Sequence, residues 1–193
     1  MTADFKDYLK TVVSSLLAMR YQVRVQRFNA SDFGDAQNRR RLFIIASRHD
    51  CLLPLPPVPT HGHGPDLLPI KTCKDALHVF DKEPTDTGAL LLRPSNTIVW
   101  NHKAPRLTPN KDKDYELFED QPSRTILARS RPHIHYNGSR YITVREAAAL
   151  QSFPSTYRFS GSLSSQYSQV GNAVPICLAT SIARSVVRVH GAP

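Results

Sequence analysis

The sequence predicts an α/β fold interrupted by an irregular insert and closed by helices. Three observations predict it. An amphipathic helical period near the start leads into two strand-like runs. A stretch crowded with proline and glycine then takes over the middle. Finally, a capped, alanine-rich helix and a long apolar-faced helix finish the chain.

Phe5, Leu9, Val12, Val13, Leu16 and Leu17 recur at the spacing of one helix face, with Lys6, Asp7, Lys10 and Ser14 outside it. Tyr21, Val23 and Val25 then alternate with Gln22, Arg24 and Gln26, the period of a strand with one covered face. After the turn-rich run from Asn29 to Asp35, Leu42 to Ala46 is apolar without alternation, as in a strand buried on both faces. A strand buried on both faces needs neighbours on either side, and a lone hairpin is marginal in water. More of the sheet is therefore expected ahead of Met1.

Gln37, Arg39 and Arg41 alternate with Asn38 and Arg40, so in an extended chain the first three share a face. Guanidiniums and an amide on one face can grip phosphate oxygens or a base edge through paired hydrogen bonds. By composition alone, a solvated charge cluster at a strand end explains the same residues.

From Leu52 to Pro69 the prolines and glycines exclude long helices and central strands. Beyond lie a strand-like run, Asn96 to Trp100, and the basic residues Lys103, Arg106, Lys111 and Lys113 beside Trp100 and Tyr115. Positive charge next to aromatic rings suits a nucleic-acid backbone and exposed bases, and a loop-heavy solvated insert accounts for it equally well. His61-Gly62-His63 has the look of a metal clip. No Cys, His or carboxylate completes it at zinc spacing, so no metal site is expected and a glycine loop is the simpler reading.

Thr143-Val144-Arg145-Glu146 is a capping box, followed by a helix that Pro154 stops. Capping occupies Glu146 fully, which leaves it a poor acid or base. Arg145 points away from the cap and is free to anchor the insert to the core. Gly171-Asn172 reads as a helix stop in the left-handed region, and Pro175 suits a first helical turn. Ile176, Ala179, Ile182, Ala183, Val186 and Val187 supply the buried face of the last helix.

Across 193 residues the formal charge is +9, which favours an acidic partner, nucleic acid first and a membrane surface second. The cysteines Cys51, Cys73 and Cys177 form no CxxC and no paired framework, which suits a reducing compartment. No apolar run approaches the roughly 20 residues of a membrane helix. The acidic start lacks a signal-peptide core. A soluble nuclear or cytosolic protein is expected.

Gln37 to Arg41, Thr143 to Pro154 and Gln169 to Pro175 together, in this order, resemble the eighth, ninth and tenth conserved blocks of the DNA cytosine-5 methyltransferases. The resemblance implies the C-terminal part of a Rossmann-like domain that uses S-adenosylmethionine. It divides the chain into a core segment over 1–50, a target-recognition region over 51–120 and a closing segment over 121–193. It further implies that Arg39 and Arg41 hold a flipped cytosine and its flanking backbone, with Gln37 supporting the loop. Asn172, Val174 and Gly171 would border the cofactor, largely through the backbone. Arg124, Arg129, Arg131, Lys103 and Arg106 would meet DNA phosphates. Ala36 departs from the proline usual before the glutamine, which loosens the loop without removing a donor.

The family's reaction needs a Cys thiolate that attacks C6 of the cytosine and so makes C5 nucleophilic. That thiolate lies in a Pro-Cys-Gln loop, and none of the three cysteines here has that setting. The Glu-Asn-Val block and the glycine-rich cofactor loop are missing as well. The resemblance therefore implies a half-domain whose nucleophile and catalytic glutamate are expected on a missing N-terminal part, which a separate chain could carry. A non-catalytic DNA-binding module and a tRNA-directed methyltransferase are the alternatives.

Overall fold

The computed structural model describes residues 3–81, 115–128, 133–137 and 141–190. The strand-like run at Asn96 to Trp100, together with Lys103, Arg106, Lys111, Lys113, Arg129 and Arg131, lies outside them. The chain divides into two compact units. One comprises residues 1–28, 40–58 and 180–193, the other residues 29–39 and 59–179. A unit is decided by which segments pack together, and that depends on long-range pairing that composition shifts do not reveal.

In the first unit, the predicted helix is α1, Ala3–Ala18. Arg20 (φ 62°) makes the turn into β1, Tyr21–Asn29, and β2 follows at Arg40–Arg48. β1 and β2 form a two-stranded sheet. The expectation that β2 is buried on both faces fails. Ile45 and Ser47 are buried, whereas Ile44 is 39% exposed and Ala46 is exposed. An apolar run reports what a strand could cover, while actual burial needs a neighbour on each side. β1 also organises the chain beyond β2. Gln22 Nε2 donates to the Cys51 carbonyl at 2.8 Å and Arg24 donates to the Pro54 carbonyl.

In the second unit, a 3-10 turn (Ala30–Phe33) ends at Gly34, whose φ of 96° and missing side chain are both required. A Cβ there would lie 2.6 Å from the His61 imidazole. Helix α2, Cys73–Asp81, was not anticipated. Its signal is nevertheless present, because Asp75 Oδ2 accepts from the main-chain N–H and the hydroxyl of Thr72. Short strands β3 (Tyr115–Glu116) and β4 (His133–Ile134) pair in parallel.

Helices α3 (Val144–Leu150) and α4 (Leu163–Asn172) follow, and α5 (Ile176–His190) runs on into the residues of the first unit. α3 packs between α2 and α4. Their apolar sides close a core of Cys73, Leu77, Ile126, Ile142, Ala147, Leu150, Tyr167 and Val170. The predicted buried face of α5 is only partly covered. Ile176, Ala179, Ile182 and Val186 are half-buried, Ala183 is exposed and Val187 is 49% exposed, while the fully buried Leu178 lies off that face.

The capping box stands as predicted. Glu146 N donates to the Thr143 hydroxyl at 3.1 Å and Thr143 N donates to Glu146 Oε2 at 2.7 Å. α3 stops at Leu150, with Ser152 at φ 60°, so the chain turns before Pro154 is reached. Since the cap is buried, Thr143→Ala is expected to cost about 1–2 kcal/mol. A lower urea midpoint at unchanged slope would register that cost. Arg145 donates to the Phe153 and Tyr157 carbonyls at 2.9 and 3.3 Å. It thus secures the turn after α3.

Candidate functional site

The site is built on the connection between the 3-10 turn and β2. Gln37 forms a parallel bridge with Ser123. Ser123 N donates to the Ala36 carbonyl at 2.9 Å, Asn38 N donates to the Ser123 carbonyl at 2.7 Å, and the Thr125 hydroxyl donates to the Asn38 carbonyl at 3.0 Å. Two extended segments, 36–39 and 123–126, are therefore laced together. The alternation read from sequence is present, with Gln37 and Arg39 buried and Asn38 and Arg40 exposed.

Arg39 was expected to meet a cytosine or its backbone. In the structure its side chain turns inward, 2% exposed. Its Nη1 donates to the Ile126 carbonyl at 2.9 Å and its Nη2 to the Gly171 carbonyl at 2.6 Å. The planar fork spans two main-chain acceptors that a single ammonium could not. Gln37 supports the same joint, its Oε1 accepting from Ile126 N at 3.4 Å. In the first unit, Arg41 is half-buried and donates to the Arg40 carbonyl at 2.8 Å, and burial makes its charge costlier to hold. Arg124 is exposed on the segment that borders Asn38.

Gly171 is buried and does not take the left-handed backbone expected of a helix stop. It lies inside α4. What excludes a side chain is the main chain of Ala128, whose N and Cα would each lie 2.4 Å from a Cβ. Gln151 Nε2 donates to the neighbouring Val170 carbonyl at 2.7 Å, so the end of α4 is held from two directions. Beyond it, Asn172 is exposed and Val174 is 37% exposed.

Sequence reasoning missed Asp35. It is fully buried, and its two carboxylate oxygens accept from Cys177 N (3.2 Å) and Leu178 N (3.0 Å) in the first turn of α5. Desolvation outweighs those bonds and holds the carboxyl above its ordinary 3.8. The sign follows from linkage. A folded-state pKa above the unfolded value gives stability that is full below the unfolded value and lost as pH rises through the folded one. The stability of the native chain minus that of Asp35→Asn is therefore expected to fall as pH rises from about 4, measured by urea melts at stepped pH.

Two of the three thiols, Cys73 and Cys177, are poorly suited to act as nucleophiles. Burial pushes Cys73 up to about 12 and raises Cys177 as well, which keeps both protonated near neutrality. Glu146 is occupied by its cap and lies 3.8 Å from His135 Nε2. Among the described residues no cluster of His, Cys, Asp or Glu could hold a metal ion.

Comparison with known proteins places this geometry. The profile of the C-5 cytosine-specific DNA methylases matches residues 1–188. The type II methyltransferase M.AplI of Arthrospira platensis is 34% identical over 94% of this chain and 52% of its own length. M1.HphI of Haemophilus parahaemolyticus is 31% identical over 88% of this chain and 49% of its own. The chain thus spans about half the length of these relatives. A candidate DNA modification methyltransferase encoded within an E. coli prophage superposes with a TM-score of 0.63, at 20% identity over 98% of this chain and 66% of that one. The α/β architecture is that of the methyltransferases, and the chain belongs to the C-5 cytosine-specific DNA methylase family.

Proposed function

We propose that these residues form the C-terminal portion of a DNA cytosine-5 methyltransferase domain, which transfers a methyl group from S-adenosylmethionine to C5 of a cytosine turned out of the duplex. One observation carries the reading. The guanidinium of Arg39 joins the Gln37–Arg41 strip to Gly171, so two sequence blocks 132 residues apart meet in one joint. In this reading Arg39 and Gln37 position the strip. Arg41 takes the role toward the target cytosine and its backbone, and Arg124, Arg129, Arg131, Lys103 and Arg106 meet phosphates. Asn172 and Val174 border S-adenosylmethionine, with Gly171 holding their connection. When bound, that cofactor supplies an electrophilic methyl group on a sulfonium.

The attacking thiolate and the catalytic glutamate are supplied from outside these 193 residues. The isolated chain is accordingly expected to bind duplex DNA with an affinity that falls steeply with salt, and to incorporate no labelled methyl group. A front half bearing the Pro-Cys-Gln and Glu-Asn-Val blocks should restore incorporation. Methyl transfer by the chain alone would show that one of its own cysteines is the nucleophile. Salt-dependent binding that never acquires activity with a front half would instead mark a non-catalytic DNA-binding module. Preferential competition by tRNA would redirect the substrate.

A further inference from the structure

The run from Leu52 to Pro59, Leu-Leu-Pro-Leu-Pro-Pro-Val-Pro, contains none of the residues assigned to DNA or cofactor. Every position from 53 to 59 is a proline or stands directly before one. Proline fixes its own φ near −65°, and its ring pushes the preceding residue into the extended region. Both restrictions favour the polyproline II helix, which has three residues per turn and no internal hydrogen bonds. The segment is accordingly neither α-helix nor β-strand.

Burial follows that period of three. Leu52, Leu55 and Val58 are 75, 72 and 79% exposed. Between them Pro54 is buried, and Leu53, Pro56 and Pro57 are half-buried. A strand would alternate every two residues instead. One ridge of three apolar side chains therefore stands clear of the protein, about 19 Å long at roughly 3.1 Å per residue.

The start of the run is held to the first unit, to which residues 52–58 belong. The Ser47 hydroxyl donates to the Leu52 carbonyl at 3.0 Å, Gln22 Nε2 to the Cys51 carbonyl at 2.8 Å, and Arg24 to the Pro54 carbonyl. The ridge is thus ordered before any partner arrives, which lowers the entropy cost of binding it.

The chemistry of the run limits what can cover it. It carries no charge, so DNA phosphates find no cation to grip there. Pro54, Pro56, Pro57 and Pro59 lack N–H groups, so a partner strand cannot add this segment to a sheet. What it offers is proline rings, apolar side chains and carbonyl acceptors. Tryptophan and tyrosine present the complement, a flat apolar ring with an N–H or O–H donor at its edge.

We propose that the Leu52–Val58 ridge docks into an aromatic-lined groove on a partner protein, the type of groove that takes polyproline II segments. The chain is then tethered to that partner through residues separate from those assigned to DNA and cofactor.

The test titrates the full chain into fluorescently labelled SH3 and WW domains, probes of this class of groove, and reads anisotropy. At least one domain should bind saturably and be displaced by decaproline. Leu55→Ser and Val58→Ser, at exposed positions, should each weaken that binding about tenfold, the effect of removing an interface anchor. Leu68→Ser, at a position 60% exposed but outside the run, should leave it unchanged. Circular dichroism should show a native fold in all three variants. No saturable binding to any of these domains, or binding that decaproline or Leu55→Ser leaves intact, overturns the proposal. It also falls if Leu55→Ser instead breaks up a dimer of the chain in sedimentation, or abolishes pairing with a front half. The ridge would then be an interface within the enzyme itself.

Discussion

Replacing Arg39 by methionine is expected to destabilise the chain by about 3–5 kcal/mol, the largest effect of any single change proposed for it. Methionine restores most of the packing volume but leaves the Ile126 and Gly171 carbonyls without the donors they have now. A buried carbonyl stripped of its partner costs about 1–3 kcal/mol, and two are stripped at once. Lysine should recover only part of the loss, since one ammonium can reach one carbonyl but not span both. The order native, then lysine, then methionine in urea midpoints is the expected result. If methionine proved neutral, the joint would have no energetic role. The reading of Arg39 as a positioning residue would then fail, and direct DNA contact would become the better account.

Gly171→Ala should be nearly as damaging although it adds one methyl group. In an open helix this exchange would stabilise by about 1 kcal/mol. Here the new Cβ would lie 2.4 Å from Ala128 N and Cα and 2.5 Å from Leu127 C, all main-chain atoms that no side-chain rotation can clear. α4 must back away from residues 127–128, which also pulls its carbonyl from Arg39 Nη2. A loss of about 3 kcal/mol is expected from overpacking of this kind. Gly161→Ala provides the contrast. There the backbone φ of 85° adds strain, but the nearest atoms are the flexible Ser165 hydroxyl and its Cβ, at 3.3 and 3.4 Å. That variant should lose only about 1 kcal/mol. Equal losses at the two glycines would mean that the contact with Ala128 does not decide the matter.

Local structure was legible wherever a short-range code operates. The period of α1, the capping box at Thr143 and the inward–outward alternation of Gln37 to Arg40 each depend on neighbours within about four residues. Helix α2 had such a code too, in Thr72 and Asp75, and was overlooked among the prolines before it. Burial was less legible. β2 and α5 have apolar faces that the described structure covers only in part, because a sequence pattern states a capacity to be buried and not the presence of a partner.

The amino-acid sequence by itself determined the family, the order of the three blocks and the absence of a Pro-Cys-Gln nucleophile, since each is a matter of residue identity and spacing. Only the tertiary structure decided what those residues do to one another. It turned Arg39 inward onto two carbonyls, seated Asp35 on the first turn of α5, and made Gly171 a point of contact rather than a bend. Each of these joins groups more than 40 residues apart. A hydrogen bond or a steric exclusion between such groups exists only once the chain has brought them within a few ångströms.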